Sequence, residues 1–381
     1  MKKIFPYLDM PLLVVTVILF AFGSIMIFSA SNVTAFMLHI VNPYHYFIRQ
    51  AIFLVMGLVL SLIMIRFNTK VYGLFSWPLM MIIGGLLFYL LMFGQIHNQA
   101  IRWINLGLFS VQPSEFAKVI TIVWLAWYYE ANEKKVKKSW SANLFPLAVC
   151  GGIAALIFLS PDLGTTIIYL AIVFSIFVSV PISKEIKSKI IFGALGALGI
   201  IAFTVLSSGR AVMLERQMER LNVARPCDRL LTTGSQVCNG FIAINNGGLT
   251  GVGLGNSTQK YLYLSEPYTD FIFAIVIEEL GLIIAITIIL LYLFVLYRIL
   301  KIAKNSYTNR GAILCYGVAV YIFSHVAVNL LGIFGVIPLT GAPLPFLSYG
   351  GSFAVSLIAA LTIVQRVQIE NSIRNNLKKG K

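Results

Sequence analysis

Long apolar runs separated by short polar segments follow one another along most of the chain. A helix needs about 20 apolar residues to cross the hydrocarbon core of a bilayer, and most of these runs approach or reach that length. We therefore expect an all-α integral membrane protein that forms one polytopic domain over residues 1–381. The pattern predicts ten spans, with the fourth and tenth short, at residues 11–30, 47–65, 72–93, 115–130, 144–160, 163–180, 189–207, 269–297, 311–332 and 352–367.

The composition fits a protein whose main solvent is lipid. Hydrophobic residues make up 59% of the chain and charged residues 11%, whereas soluble domains carry roughly a quarter charged residues. So little polar surface cannot cover a water-facing globule of this size. The first run has no small-residue cleavage site, so we expect a retained span and not a cleaved signal peptide.

Basic residues set the expected orientation. If the N-terminus is cytoplasmic, most of the 29 Lys and Arg residues fall in cytoplasmic segments, as the positive-inside rule requires. Both termini are then cytoplasmic, and residues 368–381 form a polar, basic, fraying tail. The net charge of +15 acts as an orientation signal and suits anionic lipid headgroups. The lysine-rich run at 134–138 is interpreted as a solvated cytoplasmic turn and not as a nucleic-acid site.

A long polar loop at residues 208–268 is predicted outside, between the seventh and eighth spans. Residues 210–225 have the spacing of an amphipathic helix lying on the outer leaflet, and the glycines of 245–256 permit tight turns and close backbone contacts. Cys227 and Cys238 share this loop. Because the compartment is oxidising, we expect a disulfide between them.

Asp270 stands at the start of the eighth span and admits two interpretations. Together with Thr269 it is a good candidate to cap the helix. It is equally a carboxylate at the membrane boundary, whose pKa apolar walls would raise and which would then serve as a general base. Two turns deeper, Glu278 and Glu279 are costly to bury alone, so we expect partner cations such as Lys118 or Arg102.

The loop before the fourth span carries a second group of candidates. Arg102 and Trp103 lie in the loop, where Trp103 is either an interfacial belt residue or part of a site. Ser114 is a candidate helix cap. Glu115 and Lys118 are three residues apart on a helix, which fits either a simple ion pair or a functional pair.

Two further outer segments contain chemistry-bearing residues. Residues 160–166 place Asp162 in a tight turn. Residues 338–352 include Ser348 and are rich in Pro and Gly, which predicts irregular backbone lining a polar cavity.

The motifs in these segments resemble the SEDS family of bacterial cell-wall proteins. Their amino-acid residues are closer to those of the division branch, FtsW, than to those of the elongation branch, RodA. One departure is Ser265, where the family usually has proline, and this would loosen the turn that presents Asp270. The matching segments are RWI (102–104), QPSEFAK (112–118), PDLGTT (161–166), GVGLGNSTQKYLYL (251–264), DFIFAIVIEELG (270–281) and PLPFLSYGGS (343–352).

The resemblance implies a peptidoglycan glycosyltransferase that polymerises lipid II, an undecaprenyl-pyrophosphate-linked disaccharide pentapeptide. It implies action at the outer face of the plasma membrane, at the division septum, with a class B penicillin-binding protein as transpeptidase partner and with other division proteins. The family's essential aspartate, the proposed general base, corresponds to Asp270. The family's functional tryptophan corresponds to Trp103.

Glycosyl transfer of this kind needs a base for the acceptor hydroxyl and positive charge near the departing pyrophosphate. Arg210, Arg216 and Arg220 are further cationic candidates. A divalent cation, Mg²⁺ or Mn²⁺, is compatible with this chemistry, although no dedicated metal-binding motif is present. The residues predicted to bind substrate are Arg102, Trp103, Glu115, Lys118, Asp162, Lys260, Glu266 and Ser348.

Three alternatives to a division enzyme stay open at this point. The chain would also suit a transporter that moves lipid II across the bilayer, a scaffold for a partner synthase, or an elongation-branch enzyme of the same family. A transporter requires polar residues along its whole path. The acids that lie at membrane depth concentrate in the predicted outer half, which favours chemistry at the outer face.

Overall fold

The computed structural model describes residues 5–37, 42–94, 102–105, 107, 109–193, 226–229, 234–261 and 263–379, and these are nearly all helical. A two-residue antiparallel hairpin, β1 (Ile104–Asn105) and β2 (Ser110–Val111), precedes α4. Short 3-10 turns occupy Phe5–Tyr7 and Pro226–Arg229, and residues 184–193 are helical. The named helices are α1 (Met10–Met37), α2 (His45–Met64), α3 (Thr69–Phe93), α4 (Pro113–Ala131), α5 (Glu133–Val136), α6 (Trp140–Leu159), α7 (Leu163–Ser179), α8 (Ser235–Gly247), α9 (Ile272–Lys304), α10 (Asn309–Ile333) and α11 (Gly351–Lys379).

The all-α membrane class is confirmed by these helices. Within the described ranges, seven helices are long and apolar enough to cross a membrane, namely α1, α2, α3, α6, α9, α10 and α11. The predicted fourth span is α4, which carries Glu115, Lys118 and Glu130, and the sixth is the 17-residue α7. The seventh lies largely outside the described residues, as does the predicted interfacial helix at 210–225. The count of ten and the orientation therefore stay predictions.

The prediction of a short tenth span followed by a fraying tail is wrong. Helix α11 runs from Gly351 to Lys379 without a break. Its continuation is held by Glu370, which accepts hydrogen bonds from the Thr69 backbone N–H (2.7 Å) and hydroxyl (2.8 Å) and pairs with Arg366 (3.3 Å). The polar residues after 367 thus bind the start of α3.

Helices α4, α10 and α11 form the centre of the bundle and pack against one another. Their close approach depends on small residues such as Gly317, where an added Cβ would lie 2.7 Å from Ile122 of α4. By contrast, α2 and α3 expose many large apolar side chains, such as Ile52, Leu74 and Met81. In a membrane this surface faces lipid, which needs no polar cover.

Helix α9, predicted as one continuous span, is broken at Gly281. This residue has φ 83°, and a Cβ there would lie 2.3 Å from the Leu249 carbonyl oxygen. The loop that follows α8 packs into the break, so that the Val252 and Gly253 amides donate to the carbonyls of Glu278 and Glu279 (both 2.9 Å). The glycines of this loop therefore provide the close backbone approach expected of them.

Cysteine chemistry in the described chain follows two patterns. Cys227 and Cys238 are joined by a disulfide, which ties the 3-10 turn at Pro226–Arg229 to α8. Cys150 and Cys315 are free and buried, where they pack as small apolar side chains.

Candidate active site

Asp270 lies in the short segment before α9 and does not cap that helix. The N-cap position is occupied by Phe271, and no side chain bonds the free amides there. Thr269 turns its hydroxyl toward Glu266 Oε2 (3.2 Å). The capping interpretation is therefore wrong for both Thr269 and Asp270. The Asp270 carbonyl accepts a hydrogen bond from Asn329 Nδ2 (2.9 Å), which fixes the backbone while leaving the carboxylate for other work.

The Asp270 carboxylate and the Arg102 guanidinium both lie close to Gly341. A Cβ placed on Gly341 would lie 3.3 Å from Asp270 Oδ2 and 3.8 Å from Arg102 Nη1. Gly341 has φ +70°, a conformation that glycine adopts without strain. The absence of a side chain at Gly341 lets the backbone of residues 338–350 lie close to both charged groups, and the space beside Asp270, Arg102 and Gly341 is the candidate pocket.

The electrostatic surroundings prepare Asp270 to take up a proton near neutral pH. Burial is the largest cause and, with the negative charges of Glu266 and Asp162, raises its pKa to about 7 against the opposing effect of Arg102. A general base is most effective when its pKa lies close to the working pH. This carboxylate meets that condition because the protein removes much of its water.

Arg102 is oriented by the turn that starts α7. Its Nη2 donates to the Pro161 carbonyl (3.2 Å), and its Nε lies 3.4 Å from Asp162 Oδ2. Asp162 is 2% exposed and caps α7 by accepting from the Thr165 amide (3.2 Å). The cap thus holds a buried carboxylate that directs the guanidinium toward the Asp270 pocket.

Ser348 connects residues 338–350 to the segment before α9 through hydrogen bonds. Its hydroxyl donates to the Thr269 carbonyl (2.6 Å) and accepts from the Leu344 amide (2.8 Å), while the Tyr349 amide donates to the Tyr268 carbonyl (2.9 Å). The predicted irregular backbone is present: Gly341 has positive φ, and residues 338–350 form no helix or strand. The contacts of Ser348 fit a role in holding two loops together.

Glu115 and Lys118 lie below the pocket, inside the bundle. They form the intrahelical pair that their spacing predicts, at 2.8 Å, and both are at most 1% exposed. Lys118 Nζ also lies 2.8 Å from His325 Nε2 on α10. Ser114 is not the helix cap, because Gln112 occupies that position.

Lys260 is not brought to the pocket. Its Nζ is buried against Glu279 Oε1 (3.0 Å) and the Gly255 carbonyl (2.6 Å), and Ser29 Oγ donates to the same carboxylate (2.8 Å). The prediction that Lys118 or Arg102 would pair with the two deep acids is therefore wrong. The loop after α8 folds back over α9 and supplies their partners locally.

Glu278 is satisfied without any cation among its described contacts. Asn246 Nδ2 (3.2 Å) and Thr258 Oγ1 (2.9 Å) donate to it, as does the hydroxyl of Ser257. Five polar groups, counting the Thr258 and Gln259 amides at 3.2 and 3.4 Å, replace the water that this carboxylate loses. Buried polar groups are ordinarily satisfied by hydrogen bonds in this way.

The remaining predicted residues are Trp103 and Glu266. Trp103, next to Arg102, is 40% exposed, which leaves its ring free to meet a bound molecule. Glu266 is partly exposed and acts on Asp270 through its charge. In the described part of the chain, no three His, Cys, Asp or Glu side chains converge as a metal site, and no chemical step is assigned to a metal here.

Sequence reasoning missed Asn329, Gly341 and Gln112. Asn329 donates to both the Asp270 and Ala342 carbonyls (2.9 and 2.8 Å), and Gln112 Nε2 lies 3.4 Å from Asp162 Oδ2. The available signal was two polar residues, His325 and Asn329, one turn apart in an otherwise apolar run. Such residues in a span face the bundle interior and a partner.

A model of the FtsW/RodA/SpoVE family, described as cell cycle proteins, matches residues 10–373. The chain belongs to this family. The SEDS resemblance of the motifs is thereby confirmed, and the chain is a multi-pass membrane protein as its family and its apolar helices require.

Relatives of this SEDS chain match it over nearly their whole length. It is 35% identical over 372 residues to the probable peptidoglycan glycosyltransferase FtsW of Coxiella burnetii, covering 95% of this chain and 96% of that protein. It is 33% identical over 369 residues to stage V sporulation protein E of Bacillus subtilis, covering 96% and 98%. A chain of a solved peptidoglycan synthase complex has the same fold, with a TM-score of 0.76 at 23% identity and coverage of 96% and 98%.

A side chain at position 341 should disturb the pocket directly. The Gly341→Ala variant is expected to lower activity about tenfold or more, because φ +70° disfavours alanine and the methyl group would touch Asp270 and Arg102. The measurement is the initial rate of lipid II consumption by the purified variant. Gly85→Ala, which meets no atom within 4 Å, is the matched control and should keep the wild-type rate.

Proposed function

We propose that this SEDS chain is a peptidoglycan glycosyltransferase that polymerises lipid II at the outer face of the plasma membrane during cell division. The observation that carries the proposal is the pocket in which Asp270, with a pKa of about 7, lies beside Arg102 at one end of a lipid-facing bundle. The names of its relatives support the same activity.

The pocket's position suits a substrate with a polar head and a hydrocarbon tail. Arg102, Asp162, Asp270 and residues 338–350 come from loops that precede α4, α7, α9 and α11, and they meet at the end of the bundle that the charge bias assigns to the outside. A lipid-linked sugar can place its head in this pocket while its tail stays along the apolar sides of the helices.

The chemistry is a displacement at the anomeric carbon of the donor sugar. Asp270 takes the proton of the acceptor hydroxyl as its oxygen bonds to that carbon. The bond from the carbon to the pyrophosphate oxygen breaks, and the pyrophosphate leaves with the electron pair. Arg102, held by Asp162 and Pro161, stabilises the negative charge that develops there. Because pyrophosphate is a good leaving group, no second carboxylic acid is required.

The other predicted substrate residues take two kinds of role. Trp103 and Glu266 contact the substrate. Glu115, Lys118 and Ser348 position the pocket from within the protein. Lys260 is withdrawn from the substrate set because a buried ion pair occupies it.

A class B penicillin-binding protein is the proposed transpeptidase partner, and the division septum the proposed location. The structural neighbour from a complex that couples polymerisation to crosslinking supports a partner of that kind. Assignment to the division branch rests on the motif wording and on relatives named FtsW.

The deciding experiment measures polymer formation and lipid transport with the same preparation. The protein is purified with its transpeptidase partner and given lipid II, and glycan chains are resolved by gel electrophoresis. In parallel, translocation of labelled lipid II is measured in vesicles. Polymer without translocation supports the enzyme. Translocation without polymer would establish the transporter, and neither product would leave the scaffold.

The transporter alternative is disfavoured by the opposite end of the bundle. There Asp9 pairs with Arg298 (2.5 Å) and Glu130 pairs with Arg310. These pairs join α9 to the segment before α1 and α10 to α4. Charged side chains that form ion pairs between helices are not available to line a transport path for the polar head of a lipid.

The rate of polymerisation should rise with pH through neutrality. Asp270 acts as a base only when ionised, and its pKa is raised to about 7. The rate should therefore fall tenfold per pH unit below about pH 6 and reach a plateau above about pH 8. The measurement is the pH profile of lipid II consumption under single-turnover conditions. A profile that is flat from pH 5 to 8 would contradict the assignment of Asp270.

A further inference from the structure

His325 occupies an unusual position, fully inside the bundle between a cation and a backbone carbonyl. It is 1% exposed, with Nε2 2.8 Å from Lys118 Nζ and Nδ1 3.1 Å from the Pro343 carbonyl oxygen. Its ring is held between Tyr321 and Phe353, with centroid distances of 5.0 and 4.7 Å. His325 takes no part in the proposed proton transfer or in stabilising the leaving pyrophosphate.

The partners of His325 determine which nitrogen carries the proton. A lysine ammonium only donates, so Nε2 must accept from Lys118. A carbonyl only accepts, so Nδ1 must carry a proton and donate to Pro343. The imidazole is then the neutral Nδ1–H tautomer, because a doubly protonated ring would set a donor and a positive charge against Lys118.

The imidazole of His325 links Lys118 on α4 to the wall of the pocket at residues 341–343. Pro343 follows Ala342, whose carbonyl accepts from Asn329, and Gly341, which lies close to Asp270 and Arg102. His325 and Asn329 are one helical turn apart on α10. Together they bond two consecutive wall residues, Ala342 and Pro343, and Asn329 also bonds the Asp270 carbonyl.

We propose that His325 is a positioning residue that couples the buried Glu115–Lys118 ion pair to residues 341–343 and so sets the spacing of Asp270 and Arg102. The proposal rests on the proposed function for its effect on rate. The hydrogen bonds that provide this coupling can be tested without measuring activity.

Two variants distinguish the effect of the His325 hydrogen bonds from the effect of its packing. His325→Leu fills the site without hydrogen bonds, whereas His325→Gln offers one acceptor for Lys118 and one donor for Pro343. We expect the Leu variant to lose about 10- to 100-fold in the rate of polymerisation at saturating lipid II, with KM changed by less than about threefold. The Gln variant should recover to within about threefold of wild type.

The matched control is Thr121→Val. Thr121 is buried on α4 one turn from Lys118 and bonds Tyr169 (2.9 Å), so the control removes a buried hydrogen bond of the same helix without touching the link. It should keep the wild-type rate. A folded Leu variant with the wild-type rate, or a Gln variant no better than Leu, would overturn the proposal.

Solid-state ¹⁵N NMR of histidine-labelled protein provides a test that is independent of activity. The chain has four histidines, and the signal lost in His325→Gln identifies this one. A neutral Nδ1–H tautomer in wild type supports the link, and an Nε2–H tautomer or an imidazolium contradicts it. If wild type makes no polymer, the proposed function fails while the spectrum still decides the link.

Discussion

Replacing Asp270 by Asn is expected to lower the rate of lipid II polymerisation by about 10³-fold, within the range that removal of a general base produces. Asn keeps the size of the side chain but cannot take the acceptor's proton at neutral pH. The pocket otherwise stays intact, since Asn329 bonds the backbone carbonyl of residue 270 and not its side chain. The measurement is polymer formed by the purified protein with its transpeptidase partner.

The same variant should be at least as stable as wild type. The pKa of Asp270 in the folded protein lies above its ordinary value, at about 7, so the fold favours the neutral carboxyl group. Stability is therefore lost as the pH rises from the ordinary pKa of 3.8 to about 7, and the neutral Asn side chain avoids that cost. A thermal midpoint at pH 8 equal to or above that of wild type, combined with lost activity, separates catalysis from folding.

Asp228→Asn is the matched control for this prediction. Asp228 is an exposed carboxylate in the 3-10 turn at Pro226–Arg229, and the same chemical change there should leave the rate unaltered. An Asp270→Asn protein that polymerises within tenfold of wild type would remove Asp270 from the mechanism. The pocket would then be a substrate-binding site whose base lies elsewhere.

The second large effect is expected on stability, at Lys260. Lys260 and Glu279 are 1% and 0% exposed and lie 3.0 Å apart. Among the described residues, Lys260→Met leaves the buried Glu279 carboxylate with the Ser29 hydroxyl as its side-chain partner, and breaking such a pair typically costs about 3–5 kcal/mol of unfolding free energy. The measurement is the unfolding transition in detergent, with the Cys227–Cys238 disulfide kept oxidised in all samples.

The double variant tests whether the loss of stability comes from the unpaired charge of Glu279. Lys260→Met combined with Glu279→Gln should recover much of the lost stability, because no uncompensated charge stays buried. Lys189→Met breaks a pair whose partners are both exposed and should leave the transition unchanged. A Lys260→Met protein as stable as wild type would show that the pair is dispensable and that the other hydrogen bonds of the loop after α8 are enough to hold it.

The positions of the helices were largely predictable because they depend on one local property, the length of apolar runs. Lipid demands about 20 apolar residues per span, and this requirement is visible without any tertiary information. Errors occurred where polar residues had hidden partners. The end of α11 was placed too early because Glu370 is held by Thr69, about 300 residues away in the chain.

The candidate site divides in the same way. Asp270, Arg102, Asp162 and Trp103 were found from single residues in outer segments, since charges near a membrane are scarce and each can be weighed. Lys260 had the same appearance in the sequence but forms a buried pair with Glu279. Nothing local distinguishes a lysine that faces a pocket from one that folds inward.

The sequence by itself determined the membrane class, the family motifs and the segment that carries the proposed base. Only the tertiary structure decided which of the scarce charges meet. It placed Asp270 and Arg102 close to Gly341. It paired Glu279 with Lys260 of the loop after α8. It also placed His325 between Lys118 and Pro343. The physical reason is that burial and pairing depend on contacts between distant segments, whereas hydropathy and helix length are properties of each segment alone.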